Sequence, residues 1–98
     1  MKIDVIAHIQ AKPGREADVR AVLEAFVAPT RQEDGCLRYD LFVDADDATK
    51  FTFIEEWASR EALDKHSQSA HIAAGRAKMT AGELLAGPSW VQVAHRIL

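Results

Sequence analysis

Residues 55–72 read EEWASREALDKHSQSAHI, placing two adjacent glutamates, a tryptophan and two histidines in one short segment. Histidine, with an ordinary pKa of about 6.5, accepts or releases a proton at neutral pH. A carboxylate buried beside aromatic rings rises in pKa unless a cation or donor meets it. His66 and His71 are therefore candidates for proton transfer, and Glu55, beside Phe53 and Trp57, for a proton-transfer group or substrate acceptor. The competing reading of Glu55 is structural: an ion pair with an arginine such as Arg38, or a place at the sheet edge.

The histidine spacing argues against a helical metal pair. Metal-binding pairs stand four apart, whereas five apart on a continuous helix rotates the second ring by about 140°. Ser67-Gln68-Ser69 can break the helix, however, with Ser69 capping a new start at Ala70. A broken turn could aim both rings into one cavity at the end of the sheet. Two solvated surface histidines are the alternative.

The elements that must position these groups follow from hydrophobic period. Residues 3–11, IDVIAHIQA, alternate, with Ile3, Val5, Ala7, Ile9 and Ala11 on one face. Pro13-Gly14 ends that strand. READVRAVLEAFVAPTRQEDG carries helical spacing through Val19, Val22, Leu23, Phe26 and Val27, and Pro29 is expected to kink or end the helix before Gly35 closes the segment. CLRYDLFVD alternates with Leu37, Tyr39, Leu41 and Val43 on one face; DADDAT (44–49) is a hairpin loop, and FTFIEEW (51–57) a third strand. Ser59 is a plausible N-cap for REALDKH, a helical stretch runs from about 70 to 85, and WVQVAHRIL after Gly87-Pro88 is a last strand. Thr80-Ala-Gly-Glu83 matches a capping box, suggesting a helix restart.

The order β-α-β-β-α-β predicts an α+β, ferredoxin-like domain: a four-stranded antiparallel sheet with both helices on one side. Two helices cover one face only. Yet Val5 and Ile6, Leu41 and Phe42, and Phe53 and Ile54 put bulky apolar groups on both faces. An exposed patch of several hundred Å² is unusual in a soluble monomer, so a homodimer, sheet to sheet, is expected.

Other groups carry less chemistry. Tyr39 is a core ring or a pocket donor. His8 points away from the main apolar face, toward the expected interface, and His95 is placed at the surface or interface. Cys36 has no neighbouring histidine and reads as a small buried side chain. The five glycines form no phosphate loop. At 98 residues the chain is a single domain spanning 1–98. A net charge of −3 without a basic stripe speaks against a nucleic-acid partner. A single cysteine, the absence of a signal-like N-terminus and the lack of any long apolar run point to a cytoplasmic location with no membrane span.

The segments VIAHIQAKPGREADV, PTRQEDGCLRYDLFVD and FIEEWASREALDKHSQSAHI, with a closing GP-strand, resemble the antibiotic biosynthesis monooxygenase superfamily, and within it the small quinol-monooxygenase-like proteins. Glu-x-Trp at 55–57 followed by Ala-Leu-x-x-His and Ser-x-His, and Glu33 to Tyr39 with its Gly-Cys, carry most of the likeness. The resemblance implies a dimeric α+β barrel whose monooxygenases oxidise polycyclic phenols or quinols with O2, using no flavin, haem or metal. It implies His66 as base or hydrogen-bond partner, Trp57 as a cavity wall and Glu55 in a donor or acceptor role. His71, Tyr39 and Phe53 would contact the substrate. The haem-degrading branch places an asparagine on the first strand and an axial histidine deep in the second long helix. Here the strand offers Ala7 and His8, and no histidine follows His71 until His95. Two alternatives stay open: an isomerase of a small phosphorylated diketone, with Arg31, Arg38 and Lys65 as phosphate cations, and a non-catalytic small-molecule-binding dimer.

Overall fold

The computed structural model describes residues 1–98. In chain order the elements are β1 (Ile3–Gln10), α1 (Glu16–Arg31), β2 (Cys36–Val43), β3 (Lys50–Trp57), α2 (Arg60–Ser67), α3 (Ala70–Ala81) and β4 (Trp90–Ala94). The four strands form one sheet in the order β2-β3-β1-β4, every neighbouring pair antiparallel. This is the ferredoxin-like α+β arrangement, with the second helical segment divided into α2 and α3.

Alternation along the strands decides which side chains meet the helices. On β1, Ile3, Val5, Ala7 and Ile9 are buried, and on β3 Phe51, Phe53, Glu55 and Trp57 are buried. The register joins these into rows across the sheet. Val93, Val5, Glu55 and Tyr39 form one, and Val91, Ala7, Phe53 and Leu41 the next. Above them lies the buried stripe of α1, Val19, Leu23, Phe26 and Thr30, at spacings of four, three and four. Gly75 of α3 packs against the Phe26 ring, where a Cβ would collide. That close approach draws α3 onto α1.

Several local expectations need correction. Pro29 lies inside α1 and the helix continues two residues past it to Arg31; near the C-terminus a proline forfeits one backbone bond without stopping the final turn. A register irregularity between Cys36 and Arg38 turns Leu37 outward, where it is 57% exposed, instead of joining Tyr39 and Leu41 on one face. The Thr80–Glu83 segment does not restart a helix. α3 ends at Ala81, and Glu83 takes a positive φ of 50° in the turn that follows. β4 stops at Ala94, short of the expected strand through Leu98, and β1 stops at Gln10, with Ala11 held by an isolated bridge to Leu85.

The opposite face of the sheet is uncovered and mixed. Ile6, Phe42, Ile54 and Trp90 alternate there with charged and polar groups. Lys2 reaches Glu56 at 2.7 Å, and Arg38 reaches Asp40 at 2.7 Å and Glu56 at 3.8 Å. His8 also lies on this face, stacked on Trp90 with ring centroids 5.2 Å apart. His95 follows β4 and is exposed.

Candidate active site

Glu55 occupies the middle of the inner face, between Val5 on β1 and Tyr39 on β2. Trp57, two residues on and so on the same face, donates its indole N–H to Glu55 Oε1 at 2.9 Å. Trp57 is 0% exposed and Glu55 5%. Burial pushes the Glu55 carboxyl up to about 7; the indole donor opposes the rise and the charge of Glu33 adds to it. A group poised near neutrality can serve as either proton donor or acceptor. Tyr39 stacks on Phe53 with centroids 4.6 Å apart. Burial, followed by the Glu55 charge, raises its phenol far above the ordinary value, while Thr30 pulls the other way. Tyr39 is thus held as a neutral hydroxyl. The expected Glu55–Arg38 pair does not form, because Arg38 lies on the outer face with Asp40 and Glu56.

The two histidines converge because the helix breaks between them. Ser59 caps α2 by accepting from the Ala62 N–H at 3.1 Å, and α2 ends at Ser67, placing His66 in its last turn. Ser69 stands at the N-cap of α3 but makes no side-chain cap bond; its hydroxyl instead donates to the His66 carbonyl at 2.7 Å. Restarting the helix there rotates His71 back toward His66, and the ring centroids lie 6.2 Å apart. The turn after α1 supplies their common partner. Glu33 Oε2 is 2.7 Å from His66 Nδ1 and 3.2 Å from His71 Nε2, which also lies 2.9 Å from Thr30 Oγ1. Gly35 makes this approach possible. Its φ is +83°, and a Cβ there would fall 2.6 Å from Ala62 Cβ of α2.

Electrostatics set the state of His66. Burial lowers its pKa; the Glu33 contacts oppose that, while the charges of His71 and Arg76 reinforce it. A neutral imidazole facing a carboxylate must carry its proton on Nδ1, which leaves Nε2 as the lone-pair nitrogen. Nε2 has no protein partner, and no buried side-chain polar atom in the protein is unpartnered. Nε2 therefore reaches accessible space. His66 lines a cavity of about 130 Å³ between sheet and helices, together with Tyr39, Phe53 and Glu55. Ser89 and Val91, at the β4 edge, complete the lining, and Val91 is 58% exposed.

The structure thus brings together His66, Glu55, Tyr39 and Phe53 on one cavity. Trp57 and His71 are not among its lining residues. Trp57 backs the cavity, with its ring centroid 4.7 Å from that of His66 and its N–H on Glu55, and so positions both groups without forming a wall. His71 stands behind Glu33. Arg31 and Arg38 pair with Asp40 away from the cavity, and Lys65 does not line it either. Burial raises the Cys36 thiol, leaving it a poor nucleophile.

Glu33, His66 and His71 offer ligand atoms within 4.8 Å of one another, the donor types of a two-histidine, one-carboxylate set. The spacing objection to a shared metal disappears once the helix is broken. The same atoms are also partnered within the protein, His66 Nδ1 with Glu33 and His71 Nε2 with Thr30.

Sequence reasoning missed Glu33, Thr30 and Arg76 as site residues. Glu33 reads as one charge in a solvated polar run, RQEDG, and Thr30 as a helix-end polar group. The signals available for Glu33 were its place two residues before Gly35 and its position at the head of the Glu33–Tyr39 segment that carries part of the family likeness. Burial of Thr30 at helical spacing from Phe26 marks it only once the fold is known.

The fold is a two-layer ferredoxin-like α+β domain whose cavity gathers His66, Glu55 and Tyr39. The antibiotic biosynthesis monooxygenase family model matches residues 3–78, and the chain belongs to that family. It is 43% identical over 91 residues to Rv0793 of Mycobacterium tuberculosis, whose name provisionally makes it a monooxygenase, covering 93% of this chain and 87% of that protein. Rv0793 superposes with a TM-score of 0.89 at 39% identity over 99% of this chain and 96% of its own. PA3566 of Pseudomonas aeruginosa superposes with a TM-score of 0.89 at 34% identity, over 99% and 95% of the two chains. YcnE of Bacillus subtilis, likewise provisionally named a monooxygenase, is 30% identical over 82 residues, 84% of each chain.

Proposed function

We propose that the protein is a cofactor-free monooxygenase that oxidises a phenolic or quinol-like small molecule with O2, and that His66 is its base. One observation carries this: Glu33 holds Nδ1 of His66 at 2.7 Å, leaving the other nitrogen of a cavity-lining imidazole without a protein partner. The arrangement follows the logic of an oriented imidazole base, in which a carboxylate fixes the tautomer and stabilises the cation once it forms.

The chemistry follows from proton affinity. A phenol with a pKa of about 10 is a poor one-electron donor, and its anion a good one. His66 Nε2 takes the proton, and Glu33 stabilises the resulting imidazolium. The anion passes one electron to O2, and the radical pair joins as a peroxide. Protonation and loss of water leave one oxygen atom on the substrate as a carbonyl. Glu55, titrating near 7, is suited to returning that proton, and neutral Tyr39 to donating a hydrogen bond to a substrate oxygen. Water exclusion and alignment come from the cavity. Its 130 Å³ suits one ring, since an engineered cavity of about 150 Å³ admits benzene.

In this reading the active form is a homodimer joined through the uncovered sheet face, where Ile6 and Ile54 pair across strands beside Phe42 and Trp90.

Aerobic oxygen uptake with candidate hydroquinones tests the reaction. His66→Ala should lower the rate about 10²–10⁴-fold, the usual size of a general-base contribution. Activity should survive chelation, and its acid limb should fall below pH 6.5, because burial and the charges of His71 and Arg76 keep His66 neutral there. Uptake indifferent to His66→Ala would remove the base assignment. No uptake with any hydroquinone would remove the oxygenase reading.

A further inference from the structure

We propose that Arg76 forms an anion subsite at the rim of the cavity, so that the ring bound there carries an acidic substituent, either a carboxylate or a phosphate. This rests on the cavity being the substrate site, and goes on to specify the substrate's charge.

Arg76 lies on α3, exposed at its outer end yet lining the cavity that holds His66, Tyr39 and Glu55. Among the lining residues it is the one permanent cation. Arg15, Arg20, Arg31 and Arg38 are each paired with a carboxylate, and none of them, nor Arg60 or Arg96, lines this cavity. No carboxylate lies within ion-pairing distance of Arg76. Its one hydrogen bond is a long one, 3.3 Å from Nη1 to the Ser67 carbonyl at the end of α2. A guanidinium has five N–H donors in a planar fork, so most of this one remains available for a planar oxyanion.

The direction and scale also agree. Ser89, whose hydroxyl makes no hydrogen bond in the protein, lines the same cavity and is a second uncommitted donor there. Arg76 is near enough to His66 for its charge to help keep the imidazole neutral. A cavity for one ring can therefore hold a hydroxyl at His66 and an acidic group at Arg76 together. Docking the anion would offset the guanidinium charge and make His66 a stronger base when substrate is in place.

Calorimetric binding separates this from the oxygenase reading, because it needs no turnover. The probes are 4-hydroxybenzoate and its neutral counterpart 4-hydroxybenzyl alcohol, titrated into the full chain. The acid should bind at least about tenfold tighter, with a preference that shrinks at high salt. Arg76→Gln should abolish the preference by weakening binding of the acid far more than that of the alcohol; Arg76→Lys, which keeps the charge, should retain part of it. Competition by inorganic phosphate would favour a phosphate-bearing ligand, and indifference to it a carboxylate. Equal binding of acid and alcohol, or a preference that survives Arg76→Gln, would overturn the subsite. Anion binding without oxygen uptake on any hydroxylated ring would leave the subsite standing and remove the oxygenase reading alone.

Discussion

Glu55 and Glu56 are the same side chain one position apart, on opposite faces of one strand. Glu55 points under the helices, keeps one neutral donor in Trp57, and is raised to about 7. Glu56 points to the open face, between Lys2 and Arg38, with 28% of its side chain exposed. Nothing in the residue distinguishes them. The pleat assigns one to a dry aromatic layer and the other to a hydrated charge network, and chemistry follows the assignment. The layer between sheet and helices concentrates groups whose proton affinities are displaced first of all by burial: Glu55, Tyr39 and His66. The outer face concentrates ion pairs and scattered apolar groups, the material of solubility and association.

Substitutions on the two faces should therefore differ in kind and size. The largest stability effect expected is from Glu55→Gln. The Glu55 pKa rises from an ordinary 4.5 to about 7 on folding, so folding takes up a proton. Its contribution is intact below about pH 4.5 and is lost as pH rises through 7. At pH 8 the uncharged variant should exceed the parent in unfolding free energy by on the order of 3 kcal/mol, an advantage that disappears near pH 4. Denaturant melts at several pH values measure this, and a difference that does not vary with pH would erase the contrast between the faces.

Next in size is Ile54→Glu, which adds a charge to the centre of the open face. Sedimentation should change from dimer to monomer with the circular dichroism of the fold retained. A parent chain that already sediments as a monomer at micromolar concentration would reject the interface. The smallest effect belongs to Glu56→Gln. Exposed ion pairs contribute below about 1 kcal/mol, so the loss should be minor and should vanish in high salt. A large, salt-independent loss would mean that Glu56 is not the solvated member of the pair.

Much of this was legible in the chain. Period-two alternation in IDVIAHIQA and FTFIEEW, helical spacing in α1 and the Ser59 cap gave the element order, and the order limited the topology to very few choices. His66, Glu55, Tyr39 and Phe53 stood out by residue type and they share one cavity. The roles of Trp57 and His71 were less legible. Both sit near the chemistry in sequence, but in space one lies behind His66 and the other behind Glu33.

The sequence by itself determined the fold class, because hydrophobic period and turn chemistry are local properties, read within a few residues. Tertiary structure alone decided that Glu33, from the turn after α1, would meet His66 and His71 across the chain, and that Arg76 would stand on the same cavity. It also decided which glutamate would be dry. Those outcomes depend on long-range packing: Gly35 admitting α2, Gly75 admitting the Phe26 ring, and the register that sets Glu55 between Val5 and Tyr39. Contacts between residues far apart in the chain leave no periodic trace in a single sequence.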